Sequence, residues 1–486
     1  MLKQVVAERH DAEAGSAQRR SSTRWALASL SLSMLLSSLG TSIANVGLPT
    51  LAQVFGASFG QVQWVVLAYL LAITTLIVSV GRLGDLMGRR RLLLAGIVLF
   101  TLGSGFSGAA PTLWLLIAAR AAQGLGAAIM MALSMALIAG TVPKARTGSA
   151  MGLLGAMSAI GTALGPSLGG VLIVGVGWRA IFVVTVPLGL LTFILARRYL
   201  PADRQAPKAD RPGFDMLGTL LLAFTLAAYA LATTMGRVGF NPLNLLLLLA
   251  AGCGAGLFVL AQVRTVSPLI PLAMFRDPVL SASLAMNALV STVMMATLVV
   301  GPFYLSRALR LDAAEVGIVM SIGPILSALS GVPAGRIADR FGAPAMVIVG
   351  LTDMAAGSIA LSALPAMFGL AGYIAAIAIL TPGYQLFQAA NNAAVMMDIG
   401  PDQRGIVSGM LSLSRNLGLI TGASVMGAVF ARASATTEIG AALPEAVAAG
   451  MRITFAVAAG LIAVALAIAV GSRALGARPP VAGDAS

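Results

Sequence analysis

Charge is what this sequence has least of. Of its 486 residues only 10% are Asp, Glu, Lys or Arg, where a soluble domain carries about a quarter. So little charge cannot cover a water-soluble globule of this length, which excludes a cytosolic enzyme, a nucleic-acid binder and a disordered chain. One cysteine, Cys253, excludes an internal disulfide framework; with one histidine, His10, it also excludes Cys/His zinc sites and histidine-centred triads. No G-x-x-x-x-G-K-S/T segment is present to grip a nucleotide phosphate. What the chain has in abundance is apolar: 58% of residues are hydrophobic and the mean hydropathy is +0.94. The composition is that of an integral, all-α polytopic membrane protein.

A hydrocarbon core of about 30 Å takes about 20 apolar residues per helix. Charged and Pro/Gly-rich breaks delimit fourteen predicted spans: 25–47, 62–81, 92–109, 112–140, 149–172, 179–196, 216–234, 243–262, 279–305, 314–334, 344–363, 368–394, 405–431 and 451–471. The first apolar run has no small-residue cleavage site after it, so 25–47 reads as a retained helix. With the N-terminus inside, 23 of the 31 basic residues fall in tails and loops on the cytoplasmic side. This positive-inside bias predicts a multi-pass protein of a bacterial inner membrane with both termini cytoplasmic, and it accounts for the net charge of +14 without nucleic acid.

The loop after span 2 reads GRLGDLMGRR (Gly81 to Arg90) and the loop after span 10 reads GRIADRFG (Gly335 to Gly342). They share the pattern G-R-hydrophobic-small-D-x-x-G at equivalent places, between the second and third helices of a six-helix set. That is the mark of two halves related by a parallel repeat. The predicted organisation is a tail (1–24), a six-helix half (25–198), a polar linker (199–215), an inserted helix pair with its following loop (216–278), a second six-helix half (279–471) and a tail (472–486). Two halves around a cavity make a transporter architecture, and one chain contains both, so it is expected to function as a monomer.

Within this frame, Gly81 and Gly88 permit a tight turn, and Asp85 beside Arg89 and Arg90 forms a candidate charge latch, repeated by Gly335 and Asp339. Gly161, Gly165 and Gly169 fall four apart on one face of span 5, where they allow close helix packing, and Pro166 removes a backbone donor and can bend the helix. Arg120 is a cation inside span 4, followed by Gln123 on roughly the same face. Such a residue faces a bundle interior or cavity; it either handles substrate or protons, or simply fixes span 4 against span 1. Ser31, Ser38, Thr41 or Ser42, and Asn45 recur along span 1. Span 9 carries Asn287 and Ser291 near Met294 and Met295, and span 12 carries Tyr384, Gln388 and Asn391. These stripes line a cavity or hold helices together. Arg415, in span 13, is expected to pair with backbone carbonyls near its helix end.

These residues resemble the major facilitator superfamily, and within it the fourteen-helix drug:proton antiporter family. Gly81, Asp85, Gly88, Arg89 and Arg90 match the loop signature. Arg120, Gln123, Gly124 and Gly126 match R-x-x-Q-G-x-G. Gly161, Gly165, Pro166, Gly169 and Gly170 match G-x-x-x-G-P-x-x-G-G, and Trp178 to Gly189 and Asp215-x-x-Gly218 are also similar. The resemblance implies spans 1, 4, 9 and 12 around a cavity, and proton-driven export of amphipathic small molecules with no cofactor, no metal and no enzymatic activity. The chain departs from the family in span 1, where L-D-x-T-x-x-N-V-x-L-P becomes Leu39-Gly40-Thr41-Ser42-Ile43-Ala44-Asn45-Val46-Gly47-Leu48-Pro49. Gly40 stands where the family's aspartate would. Asp353, midway along span 11, is the only acid well inside a predicted span, with Glu315 at the mouth of span 10. Asp353 is the proton-carrier candidate; its alternative is an interhelical hydrogen-bonding acid. Arg120 without a facing acid favours neutral or anionic substrates, and a dedicated exporter or importer of a single metabolite or organic anion, with or without proton coupling, is the competing reading.

Overall fold

In lipid a backbone must satisfy its own hydrogen bonds, so a chain of apolar runs becomes a bundle of helices. The computed structural model is such a bundle; it describes residues 2–77, 79–142, 147–203, 215–234, 242–265, 268–270, 272–396, 404–434 and 443–476. The side chains of the N-terminal tail and of Asp85, the linker residues 204–214 and the tail beyond 476 lie outside the described residues.

Among the described residues thirteen apolar helices are long enough to span a bilayer: Thr23–Val54, Phe59–Ile77, Arg89–Ala109, Leu113–Ile138, Leu153–Gly175, Ala180–Tyr199, Met216–Thr234, Pro242–Arg264, Pro278–Ala308, Ala313–Phe341, Ala343–Met396, Gly409–Ala433 and Pro444–Arg473. Ala343–Met396 is two spans in one. Gly369, at φ 54° and ψ −126°, reverses the chain, a conformation natural only to glycine. The two arms then pack antiparallel, Gly350 on Phe387 and Gly357 on Leu380. Fourteen crossings result, in the predicted order, and both termini leave from one end of the bundle, called here the tail end; the opposite is the head end.

Local sequence explains the boundaries. Thr112 caps span 4, Asp277 caps span 9 ahead of Pro278, and Asp312 and Glu315 form a reciprocal capping box at the start of span 10. Glu315 is therefore a helix cap. Span 1 runs on through Pro49 to Val54, beyond its predicted end at 47, and the loop after span 2 contains a short helix, Val80–Met87.

The halves are built alike. In the first, Gly161, Gly165 and Gly169 of span 5 lie against Leu35, Ser42 and Val46 of span 1; in the second, Gly418 and Gly422 of span 13 lie against Ala288 and Thr292 of span 9. A Cβ at Gly165 would press on the Ser42 side chain and fall 2.9 Å from the Ile43 amide nitrogen, which as main chain cannot swing aside. The hydrogen bonds and ring contacts found between the halves gather at the head end. Gly170 and Gly317 meet across spans 5 and 10, Gln63 donates to the Ala423 carbonyl at 2.8 Å, and Phe59 lies between Phe303 and Phe430. A pocket of about 220 Å³ opens beside this closure, lined in part by Thr50, Gln53, Ser306 and Asp312.

The inserted pair stands beside span 2. Span 7 is bonded to it at both ends, Thr219 to Ser79 at 2.9 Å and Thr234 to Trp64 at 2.9 Å. It reaches the second half through Tyr229, whose hydroxyl donates to Thr421 at 3.1 Å. Asp215 caps Gly218 and accepts from Gln262 of span 8, which holds the pair together.

The glycine contacts give a test. Gly165→Ala should destabilise the purified protein by about 1–3 kcal/mol through overpacking, while Gly155→Ala, with open space at its Cβ, should stay within about 0.5 kcal/mol. Thermal unfolding in detergent checks this; equal melting temperatures for both variants would refute the packing role.

Candidate functional site

Arg120 lies fully buried in the first half, with 0% exposure. Its Nε donates to the Val65 carbonyl of span 2 at 3.0 Å, one terminal nitrogen to Gln123 Oε1 at 2.5 Å, and the other to the Gly40 carbonyl of span 1 at 2.9 Å. The guanidinium also stacks over the Tyr69 ring, 4.1 Å from its centroid. Gln123 passes the contact on to Ser104 of span 3 at 2.7 Å, and Tyr69 donates to the Ser37 carbonyl at 2.7 Å. One side chain thus ties spans 1 to 4 together, and its partners are neutral oxygens and an aromatic face. No carboxylate is among them. At Gly40 a Cβ would lie 2.9 Å from the Tyr69 hydroxyl, so the Tyr69–Ser37 bond occupies the room that a side chain at residue 40 would need.

The corresponding cluster of the second half is neutral and partly open. Gln388 donates to Asn287 at 3.2 Å and to the Tyr384 hydroxyl at 3.2 Å; Asn287 donates to the Leu411 carbonyl of span 13 at 2.9 Å. Ser283 donates to Asn391 at 2.7 Å, leaving the Asn391 amide nitrogen buried without a partner. Tyr384 and Gln388 are half-buried. Spans 9, 12 and 13 are joined here as spans 1 to 4 are joined around Arg120.

Other predicted residues make contacts of their own. Ser38 bonds Ser158 of span 5 at 2.6 Å, Thr41 donates to its own helix at the Ser37 carbonyl, and Asn45 donates to the Thr41 carbonyl while its Oδ1 is buried without a partner. Of these three, Ser38 bonds across to another helix, while Thr41 and Asn45 bond to carbonyls of their own helix. Asp353 is half-buried between spans 11 and 12, its Oδ2 2.9 Å from where a Gly383 Cβ would sit, on the face of span 12 adjoining the Tyr384 stripe. Arg415 is exposed in the tail half of span 13 and makes no hydrogen bond to a backbone carbonyl among the described residues; the expected carbonyl pairing is not there.

In the signature loop, Gly88 has φ 93° and starts span 3. The Asp203 carboxylate sits against its Cα and accepts from the Arg90 and Arg91 amides at 2.8 and 3.1 Å. Arg90 also donates to the Arg197 carbonyl. This cap from the end of span 6 was not foreseen; its one sequence signal is an acid flanked by Arg197, Arg198 and Arg204. Arg89 and Asp339 are exposed, and Gly81 and Gly335 have open space at their Cα atoms.

Lysine offers one point charge where Arg120 offers a fork of donors. Arg120→Lys should therefore forfeit at least one charged hydrogen bond, about 1.5–3 kcal/mol, and lower the melting temperature in detergent; an unchanged melting temperature would show that the cradle does not bear on stability.

Comparison with known proteins fits this geometry. The chain matches the Major Facilitator Superfamily over residues 30–423 and 284–485. It is 32% identical over 419 residues to the multidrug resistance protein Stp of Mycobacterium tuberculosis, covering 84% of this chain and 76% of that one. Against the drug efflux pump JefA of the same organism it is 32% identical over 426 residues, covering 84% and 79%. The riboflavin transporter RibZ of Clostridioides difficile is 29% identical over 404 residues, covering 82% and 87%. Among solved structures, a bacterial homologue of the lysosomal transporter Spinster shares the fold with a TM-score of 0.69 at 18% identity, over 95% of this chain and 99% of that one.

Proposed function

This chain belongs to the Major Facilitator Superfamily, and we propose that it exports amphipathic organic compounds across the bacterial cytoplasmic membrane by proton-coupled alternating access. The observation that carries this reading is the pairing of two polar clusters, one in each half, beneath a seam closed at the head end. Alternating access needs two bodies that carry the site between them and a closure on one side at a time. The tail end, with its excess of Lys and Arg, faces the cytoplasm in this reading, so the closure lies outside and the cargo is loaded from within. Stp and JefA, both named for drug resistance or efflux, support the substrate class.

Coupling would fall to Asp353, an acid inside the bundle, moving a proton between spans 11 and 12 as the halves rock. The latch would be the two signature loops, with Asp85 and Asp339 as its acids and Gly161, Gly165, Pro166 and Gly169 carrying the motion between spans 1 and 5.

A second reading has an observation of its own. Arg120 has no carboxylate partner, Gly40 supplies none, and a relative is named a riboflavin transporter. Those facts favour a dedicated carrier of one metabolite or organic anion that is not driven by protons.

The two readings part on one experiment. In cells stripped of their main efflux pumps, the protein should lower retention of at least one cationic, neutral or anionic fluorescent compound. A protonophore should abolish the effect, and Asp353→Asn should cut it about tenfold or more, within the range of a positioned proton carrier. Export that persists with the protonophore and in Asp353→Asn would refute proton coupling; no export of any compound, with the protein present in the membrane, would refute the exporter.

A further inference from the structure

Arg415 sits about 16 Å along its helix from Arg404, at 1.5 Å per residue, and is solvent-exposed there. An arginine at such depth cannot be left facing hydrocarbon. The face of span 13 that carries it settles where it points. Leu411, Gly418 and Gly422 share that face at helical spacing. The Leu411 carbonyl accepts from Asn287, Gly418 packs on Ala288 and Ser291, and Gly422 packs on Thr292, all of span 9. Arg415 is therefore turned toward the interior helix and exposed to the space between the halves.

The repeat sharpens the point. Gly161 and Gly418 correspond, their carbonyls accepting from Ser42 of span 1 and Thr292 of span 9, so Ser158, three residues before Gly161, corresponds to Arg415. In the first half Ser158 closes on Ser38 with a 2.6 Å hydrogen bond. In the second, Ser291 Oγ is buried without a partner, and Arg415 makes no hydrogen bond or ion pair among the described residues. A helical side chain leans toward the preceding turn, which here is that of Leu411, where Asn287 joins Gln388 and Tyr384. Arg120, by contrast, is enclosed and spends its donors on the protein.

We propose that Arg415 is the anion-binding residue of the substrate cavity, receiving the carboxylate or sulfonate of an amphipathic organic anion, with Tyr384 and Gln388 beside the rest of the molecule. The inference rests on the exporter reading and narrows it to a charge class. A guanidinium presents paired donors to a carboxylate, and such charge-assisted bonds are roughly twice as strong as neutral ones.

The test compares export of carboxyfluorescein, released inside the cell from its diacetate, with export of neutral Nile red, in cells lacking their main pumps. Arg415→Gln should lower the ratio of carboxyfluorescein to Nile red export about tenfold or more, and Arg415→Lys should restore most of it. If Arg415→Gln fails to accumulate in the membrane, Arg415→Met, which keeps the apolar stem, carries the same expectation. An unchanged ratio would overturn the proposal. So would a wild-type protein that exports Nile red but no carboxyfluorescein, which would leave the exporter standing. Wild-type protein in the membrane that exports neither would overturn the exporter reading and this proposal together.

Discussion

A guanidinium buried in a membrane bundle must be solvated by the protein, and the first half of this molecule is organised around that demand. Arg120 cannot shed its proton in a protein and has no water to turn to. It takes instead the carbonyls of Gly40 and Val65, the amide of Gln123 and the face of Tyr69. Each acceptor fixes a neighbour: Gly40 must lie close, Tyr69 must turn its edge toward Ser37, and span 3 must bring Ser104 to Gln123. Gly103 allows that last approach, because a Cβ there would stand 2.8 Å from the Gln123 amide nitrogen. An acid at residue 40 is one way to neutralise a buried arginine. This chain distributes the charge over neutral dipoles, an arrangement that works where every donor finds an acceptor.

The second half repeats the glycine-backed contact of the first but not its charge. Spans 9 and 13 approach as spans 1 and 5 do, with glycine in the same role. The cluster built on them uses amides and a phenol, and its cation, Arg415, stands apart and exposed. A duplicated scaffold has thus diverged into a sealed half and an accessible half. Specificity is easier to place on the accessible one, since its side chains can change without unseating a buried charge.

Much of this was legible in the sequence because lipid simplifies the code. Runs of about 20 apolar residues between charged breaks put the crossings in order, and the repeated loop is the argument in sequence for two halves. The partners of Arg120 were not legible, since two of them are main-chain carbonyls that any residue could supply. Pro49 reads as a stop but lies within span 1, and the turn between spans 11 and 12 depends on the conformation of Gly369 alone. Nor does any motif announce that Asp203 caps the signature loop from four helices away in sequence, or that Ser38 and Ser42 of span 1 are taken up by their own helix and by span 5.

The inserted pair makes the two seams between the halves unlike each other. Spans 5 and 10 meet the surroundings directly, each only 28% buried over its apolar window, whereas spans 2 and 13 are 61% and 50% buried. Span 7 accounts for part of the difference: it is bonded to span 2 at both ends and touches the second half through Tyr229 and Thr421. Among the described residues it packs on span 13 but makes one hydrogen bond to the second half, worth about 0.5–1.5 kcal/mol. Such a contact yields readily to a rigid-body motion. Any rocking of one half against the other must slide past it, while the other seam, with bare glycine meeting bare glycine at Gly170 and Gly317, supplies a smooth bearing on which the motion can turn.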